Sequence, residues 1–141
     1  MNKYIFIIST LDGCSHCVNF KNNINPSGIT SLEELKNKVK QLNYNIEIME
    51  INRSNNIDTS ILGKLSKNWY PSFYLFTPYQ LNTNPLNGYV MGGIVKDGVI
   101  IKDGSRISLD IDKIIQWIKS KINVNNVQPY TDYTYRLNTL I

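Results

Sequence analysis

Cys14-Ser15-His16-Cys17 concentrates the chemistry of this sequence. The chain has two cysteines in all, and they stand three positions apart. An apolar run, Tyr4-Ile5-Phe6-Ile7-Ile8, precedes them, Leu11-Asp12-Gly13 breaks that run, and a helical stretch opens at Cys14. A helix N-terminus carries partial positive charge and free N–H groups, and both stabilise a thiolate. Two intervening residues set the second thiol one turn deeper. Such a pair can attack a partner disulfide and then resolve the mixed disulfide. Cys14 is the candidate outer nucleophile and Cys17 the candidate resolving thiol. Two other readings of the pair stay open. One is two buried thiols near each other by chance. The other is a metal site. Structural zinc takes four ligands, and two Cys with one His leave a site in one chain short by a carboxylate or a second protomer.

The rest of the composition bounds the setting. At 141 residues the chain has the length of one domain with one core. Apolar residues make up 42% and charged residues 18%, the balance of a globular protein rather than a disordered one. A net charge of +4, with both signs interspersed, gives little reason to expect nucleic acid. The apolar run at the start is too short for a signal peptide, and nothing approaches a membrane span. The expectation is a soluble cytoplasmic protein in a reducing compartment, where an isolated CxxC is catalytic or metal-binding more often than structural. Isoleucine and asparagine are abundant and alanine is absent. An AT-rich genome, such as that of a large DNA virus or an AT-rich microbe, encodes that skew through codon bias. In the viral case the protein could be virion-associated and relay disulfides from an upstream thiol oxidase.

These thiols need elements to hold them. Lys3–Ser9 reads as a buried strand. Ser31 and Glu34 read as a capping box ahead of a helix with Leu32, Leu35, Val39 and Leu42 on one face. Asn45–Ile51 reads as a second strand. Ser54–Lys67 reads as a helix with Ile57, Ile61, Leu62 and Leu65 on one face. Trp69-Tyr70-Pro71-Ser72 leads into the strand Phe73–Phe76, and Thr77–Asn87 into a loop. Gly88–Val95 and Val99–Lys102 are strands around the hairpin signal Lys96-Asp97-Gly98. Gly92-Gly93 marks a bend or bulge within the first of these. Ser108–Ile122 is an amphipathic helix with Ile111, Ile114, Ile115, Ile118 and Ile122 inward, and Trp117 reads as core. Residues 123–141, with Tyr130, Tyr133 and Tyr135, have no clear period and read as a tail or docking segment.

A CxxC directly after a first strand, a Tyr70-Pro71 before a later strand and a closing amphipathic helix resemble the thioredoxin superfamily over about residues 3–122. The resemblance implies a cis proline at Pro71, whose loop faces the dithiol and binds the substrate backbone, with Trp69 and Tyr70 beside it. It implies no prosthetic cofactor. His16 stands just before the second cysteine, as in protein disulfide isomerases and periplasmic thiol oxidases. There it stabilises the Cys14 thiolate and raises the reduction potential above thioredoxin's, roughly −270 mV. The alternative for His16 is an exposed residue without that role. Trp69 and Tyr70 are either groove or core. The sequence departs from thioredoxins proper in three ways. It lacks their Trp and Pro around the dithiol, Ile8 replaces their buried Asp, and the stretch from Cys17 to Pro71 is longer.

The expected architecture is therefore α/β and thioredoxin-like. A central mixed four- to five-stranded sheet is flanked by helices, with Ser31–Leu42 as an inserted helix. The expected function is thiol–disulfide exchange with protein thiol and disulfide substrates, with no metal, nucleic acid or membrane involved. Two alternatives belong to other classes. A glutathione-dependent glutaredoxin would use Cys14 alone, and Gly92-Gly93 would then be a glutathione contact. A non-catalytic binding module would tolerate Cys14→Ser.

Overall fold

The computed structural model describes residues 2–54, 62, 65, 69–83 and 85–123. Within them the chain is α/β, with six strands in one mixed sheet and four helices. In chain order these are β1 (Lys3–Thr10), α1 (Ser15–Asn22), α2 (Ser31–Gln41), β2 (Asn45–Asn52), β3 (Ser72–Phe76), α3 (Pro78–Asn82), β4 (Gly88–Val90), β5 (Gly93–Lys96) and β6 (Val99–Lys102). A final helix, α4, covers residues 111–123. The sheet order is β2-β1-β3-β4-β5-β6. β1 and β2 are parallel, with Phe6 opposite Ile48, and every later pairing is antiparallel.

The apolar runs of β1 and β3 follow from this order. Both strands lie inside the sheet, and every residue of β3 is buried. A strand covered on both faces has no polar side to show, so it reads as continuous rather than alternating. On one face Tyr4, Phe6, Ile8, Phe73 and Leu75 pack with Phe20 of α1, Leu35 and Val39 of α2, and Ile111, Ile114, Ile115, Ile118 and Ile122 of α4. Phe73 stacks on Phe6 at 6.0 Å and meets Phe20 at 5.7 Å, which ties α1 to the sheet beneath it. On the other face Ile5, Ile7, Tyr74 and Phe76 pack with Ile51, Leu62, Leu65, Val90 and Val95.

Four local expectations change. The sheet has six strands, not four or five, because Gly88–Val95 is not one strand. Met91-Gly92 turns the chain between β4 and β5. Gly92 has φ +97°, and a Cβ there would meet Ile107 Cγ1 at 2.5 Å. The expected loop Thr77–Asn87 contains α3, with a Thr77–Gln80 capping box and proline in the first turn. The cap of α2 is Thr30, whose Oγ1 accepts from the Glu33 N–H at 3.1 Å. The sequence offers two overlapping pairs, Thr30 with Glu33 and Ser31 with Glu34, and the fold caps with Thr30, whose hydroxyl also donates to Glu33 Oε1 at 3.1 Å. The closing helix is described over residues 111–123, three positions later than the expected start.

The hairpin at Lys96-Asp97-Gly98-Val99 is as expected. Asp97 and Gly98 both have positive φ, the requirement of the two-residue type I′ turn. The expected helix Ser54–Lys67 falls largely outside the described residues. Of its expected core positions Leu62 and Leu65 are buried, while Ile57 and Ile61 lie outside the described set. The expected tail, including Tyr130, Tyr133 and Tyr135, lies outside it as well. Among the described residues no helix is long and apolar enough to cross a membrane.

Candidate active site

β1 ends at Thr10, and four residues later the chain starts α1 with Cys14 as its N-cap. Cys14 lies one place outside the helix rather than opening it, at φ −81° and ψ 116°. Its Sγ takes the place that a serine or aspartate oxygen fills in ordinary caps, accepting from the Cys17 N–H at 3.2 Å. The same thiol donates to the Tyr70 carbonyl at 3.6 Å. Tyr70 precedes Pro71, and the bond between them is cis. Pro71 is buried and leads directly into β3. Two segments far apart in sequence therefore meet at one sulfur, because β1 and β3 are neighbours with Ser9 opposite Ser72.

The two thiols are free and differ in setting. Cys14 is half-buried and Cys17 is buried. Burial pushes the Cys17 thiol up to about 11, and its hydrogen bond with Cys14 adds to this. A backbone hydrogen bond at Leu11 and the charge of Lys21 pull the other way without overcoming it. Cys17 is thus protonated at neutral pH, one turn behind a more accessible partner. Ile8 stands in the α1-facing core, and among the described residues no acid is buried.

His16 is exposed in the first turn of α1 and makes no hydrogen bond or ion pair among the described residues. Trp69 is half-buried against the core on the other face. Its ring touches the Gly92 turn and has Lys102 Nζ 5.5 Å from its centroid. Tyr70 is half-buried, and burial raises its phenol while the Arg53 guanidinium opposes the rise. The structure thus brings Cys14, Cys17, Tyr70 and Pro71 together and leaves His16 at the rim. Among the described residues no group of three His, Cys, Asp or Glu side chains converges as a metal site would require.

Sequence reasoning passed over Arg53. It is buried at 5% exposure at the end of β2, and its backbone N–H donates to the Thr10 carbonyl at 2.8 Å. The available signal was an arginine at the end of an apolar strand in a chain whose cations are mostly lysine.

No protein-family model, curated protein or solved structure matches this chain.

Proposed function

We propose that this protein is a thioredoxin-like thiol–disulfide oxidoreductase acting on protein thiols and disulfides. The observation that carries the reading is the placement of Cys14. It caps a helix, accepts from the Cys17 N–H and faces the carbonyl before Pro71. The sheet supports it. A parallel β1–β2 pair joined through helices, followed by β3 antiparallel beside β1 and β4 antiparallel beside β3, is the order expected of a thioredoxin-like core.

The chemistry follows from the two settings. The Cys14 thiolate attacks one sulfur of a substrate disulfide. A mixed disulfide forms, and the other substrate sulfur leaves as a thiolate. Cys17 gives its proton to the departed substrate thiolate or to water, and its sulfur attacks Cys14 Sγ. The second substrate thiolate then leaves, and Cys14 and Cys17 are joined. Two electrons pass to the substrate. The reverse sequence oxidises a substrate dithiol and returns Cys14 and Cys17 to thiols. Tyr70 and Pro71 flank the path of the substrate chain, and the N–H groups at the start of α1 stabilise the thiolate each time it is released.

The test is a glutathione-buffer titration read by thiol-alkylation mass shifts, with a Cys17→Ala trap alongside. The expected result is a reversible two-electron transition above roughly −270 mV and substrate proteins held on Cys14 in the trap. Two thiols that stay reduced across the buffer range, with an empty trap, would overturn the proposal.

A further inference from the structure

We infer that Arg53, at the centre of the turn Asn52–Arg53–Ser54, is a positioning residue that holds the Cys14 loop and the Tyr70 segment in register. This rests on the oxidoreductase reading above and adds to it the device that fixes the nucleophile.

The turn grips the chain leading to Cys14 at three points. The Arg53 backbone N–H donates to the Thr10 carbonyl at 2.8 Å. Asn52 Nδ2 donates to Asp12 Oδ1 at 2.9 Å. The Asp12 N–H donates to Ser54 Oγ, also at 2.9 Å. The turn is itself closed by the Ser54 N–H donating to Asn52 Oδ1 at 2.9 Å. Thr10 and Asp12 lie four and two residues before the nucleophile, so little chain remains free between grip and sulfur. On its other side Arg53 reaches inward. Nη1 donates to the Leu62 carbonyl at 2.8 Å, and Nη2 to the Leu65 carbonyl at 3.3 Å.

That side chain also carries a buried charge. Among the described residues no carboxylate pairs with Arg53, and its Nε has no hydrogen-bond partner. Two backbone carbonyls hold the guanidinium among the described residues. Its two Nη donors fix the Leu62 and Leu65 carbonyls, eight and five residues before Tyr70. The Tyr70 carbonyl is the acceptor for Cys14. One residue thus bears on both sides of the contact that defines the site.

The experiment measures the pH profile of Cys14 alkylation and the reduction potential in the full chain. The variants are Arg53→Met, Asp12→Ala and Asp12→Asn. Arg53→Met keeps the backbone N–H to Thr10 but frees the Leu62 and Leu65 carbonyls, which should let the Tyr70 segment shift and Cys14 drift from the Cys17 N–H. The thiolate fraction at neutral pH should then fall about tenfold in Arg53→Met, the effect of losing roughly one hydrogen bond to a charged group. Asp12→Ala should show the same direction more weakly. Asp12→Asn keeps the Oδ1 acceptor and should restore the wild-type profile. The Asp12 side chain is exposed, so its variants carry the test if Arg53→Met does not fold. Wild-type alkylation profiles and potentials in Asp12→Ala and in folded Arg53→Met, with only stability reduced, would overturn the inference. A wild-type dithiol that never cycles would overturn the oxidoreductase reading instead, while the alkylation profiles would still report how Cys14 is held.

Discussion

One CxxC supplies two different sulfurs. Cys14 is half-buried at a helix cap, and Cys17 is buried and held protonated. The difference comes from the helix. Three residues of α-helix rotate the second side chain toward the sheet and leave the first at the tip. His16 lies between them and is exposed, so whatever it does to Cys14 acts through water. Only the imidazolium carries charge, and salt screens exposed charges. His16→Ala should therefore slow Cys14 alkylation at low salt. The difference should vanish at roughly 1 M salt. Stopped-flow alkylation of wild type and variant checks this, and equal rates at low salt would remove His16 from the site.

Elements place these residues by close approach. The β4–β5 turn at Met91-Gly92 lies against Trp69 and Ile107 and has no room for a Cβ. One residue on, a Cβ at Gly93 would sit 2.3 Å from the Ile101 carbonyl oxygen of β6. Backbone cannot swing aside as a side chain can. Gly93→Ala should force β5 and β6 apart and cost roughly 1–3 kcal/mol, in the range of other overpacked sites. Urea unfolding measures the loss. The reduction potential should be unchanged, because β6 lies at the far edge of the sheet from β1.

At the scale of the whole molecule, the described residues form one sheet with a core on each face, and stability carries the signature of the buried thiol. The Cys17 thiol is raised from an ordinary value of 9.0 to about 11 in the fold. Between those values the unfolded chain has released the proton and the native state still holds it. The unfolded state then binds fewer protons, so stability falls as pH rises through this window and levels off above it. Below about 9 both states are protonated and the slope disappears. Denaturant titrations of the reduced protein should show this alkaline slope. Cys17→Ala, compared over the same range, should lack the part due to the thiol.

Much of the fold was legible in the sequence where the cause is local. β1 and β3 announced themselves as apolar runs, the isoleucines of α4 as a helical stripe, and Asp97-Gly98 as a turn. The dithiol was legible for the same reason, since its spacing and its place after a strand are properties of a short stretch. The tertiary structure decided what depends on distant partners. Gly92 is a turn because Ile107 and Trp69 occupy the space around it. Trp69 packs against the second core because the segment before β3 lies beside the Gly92 turn. Arg53 meets Thr10 because β2 ends beside β1, an adjacency that no periodicity along the chain encodes. Side-chain period reports which face a residue shows. Sheet order, set by the burial of both faces at once, reports what that face meets.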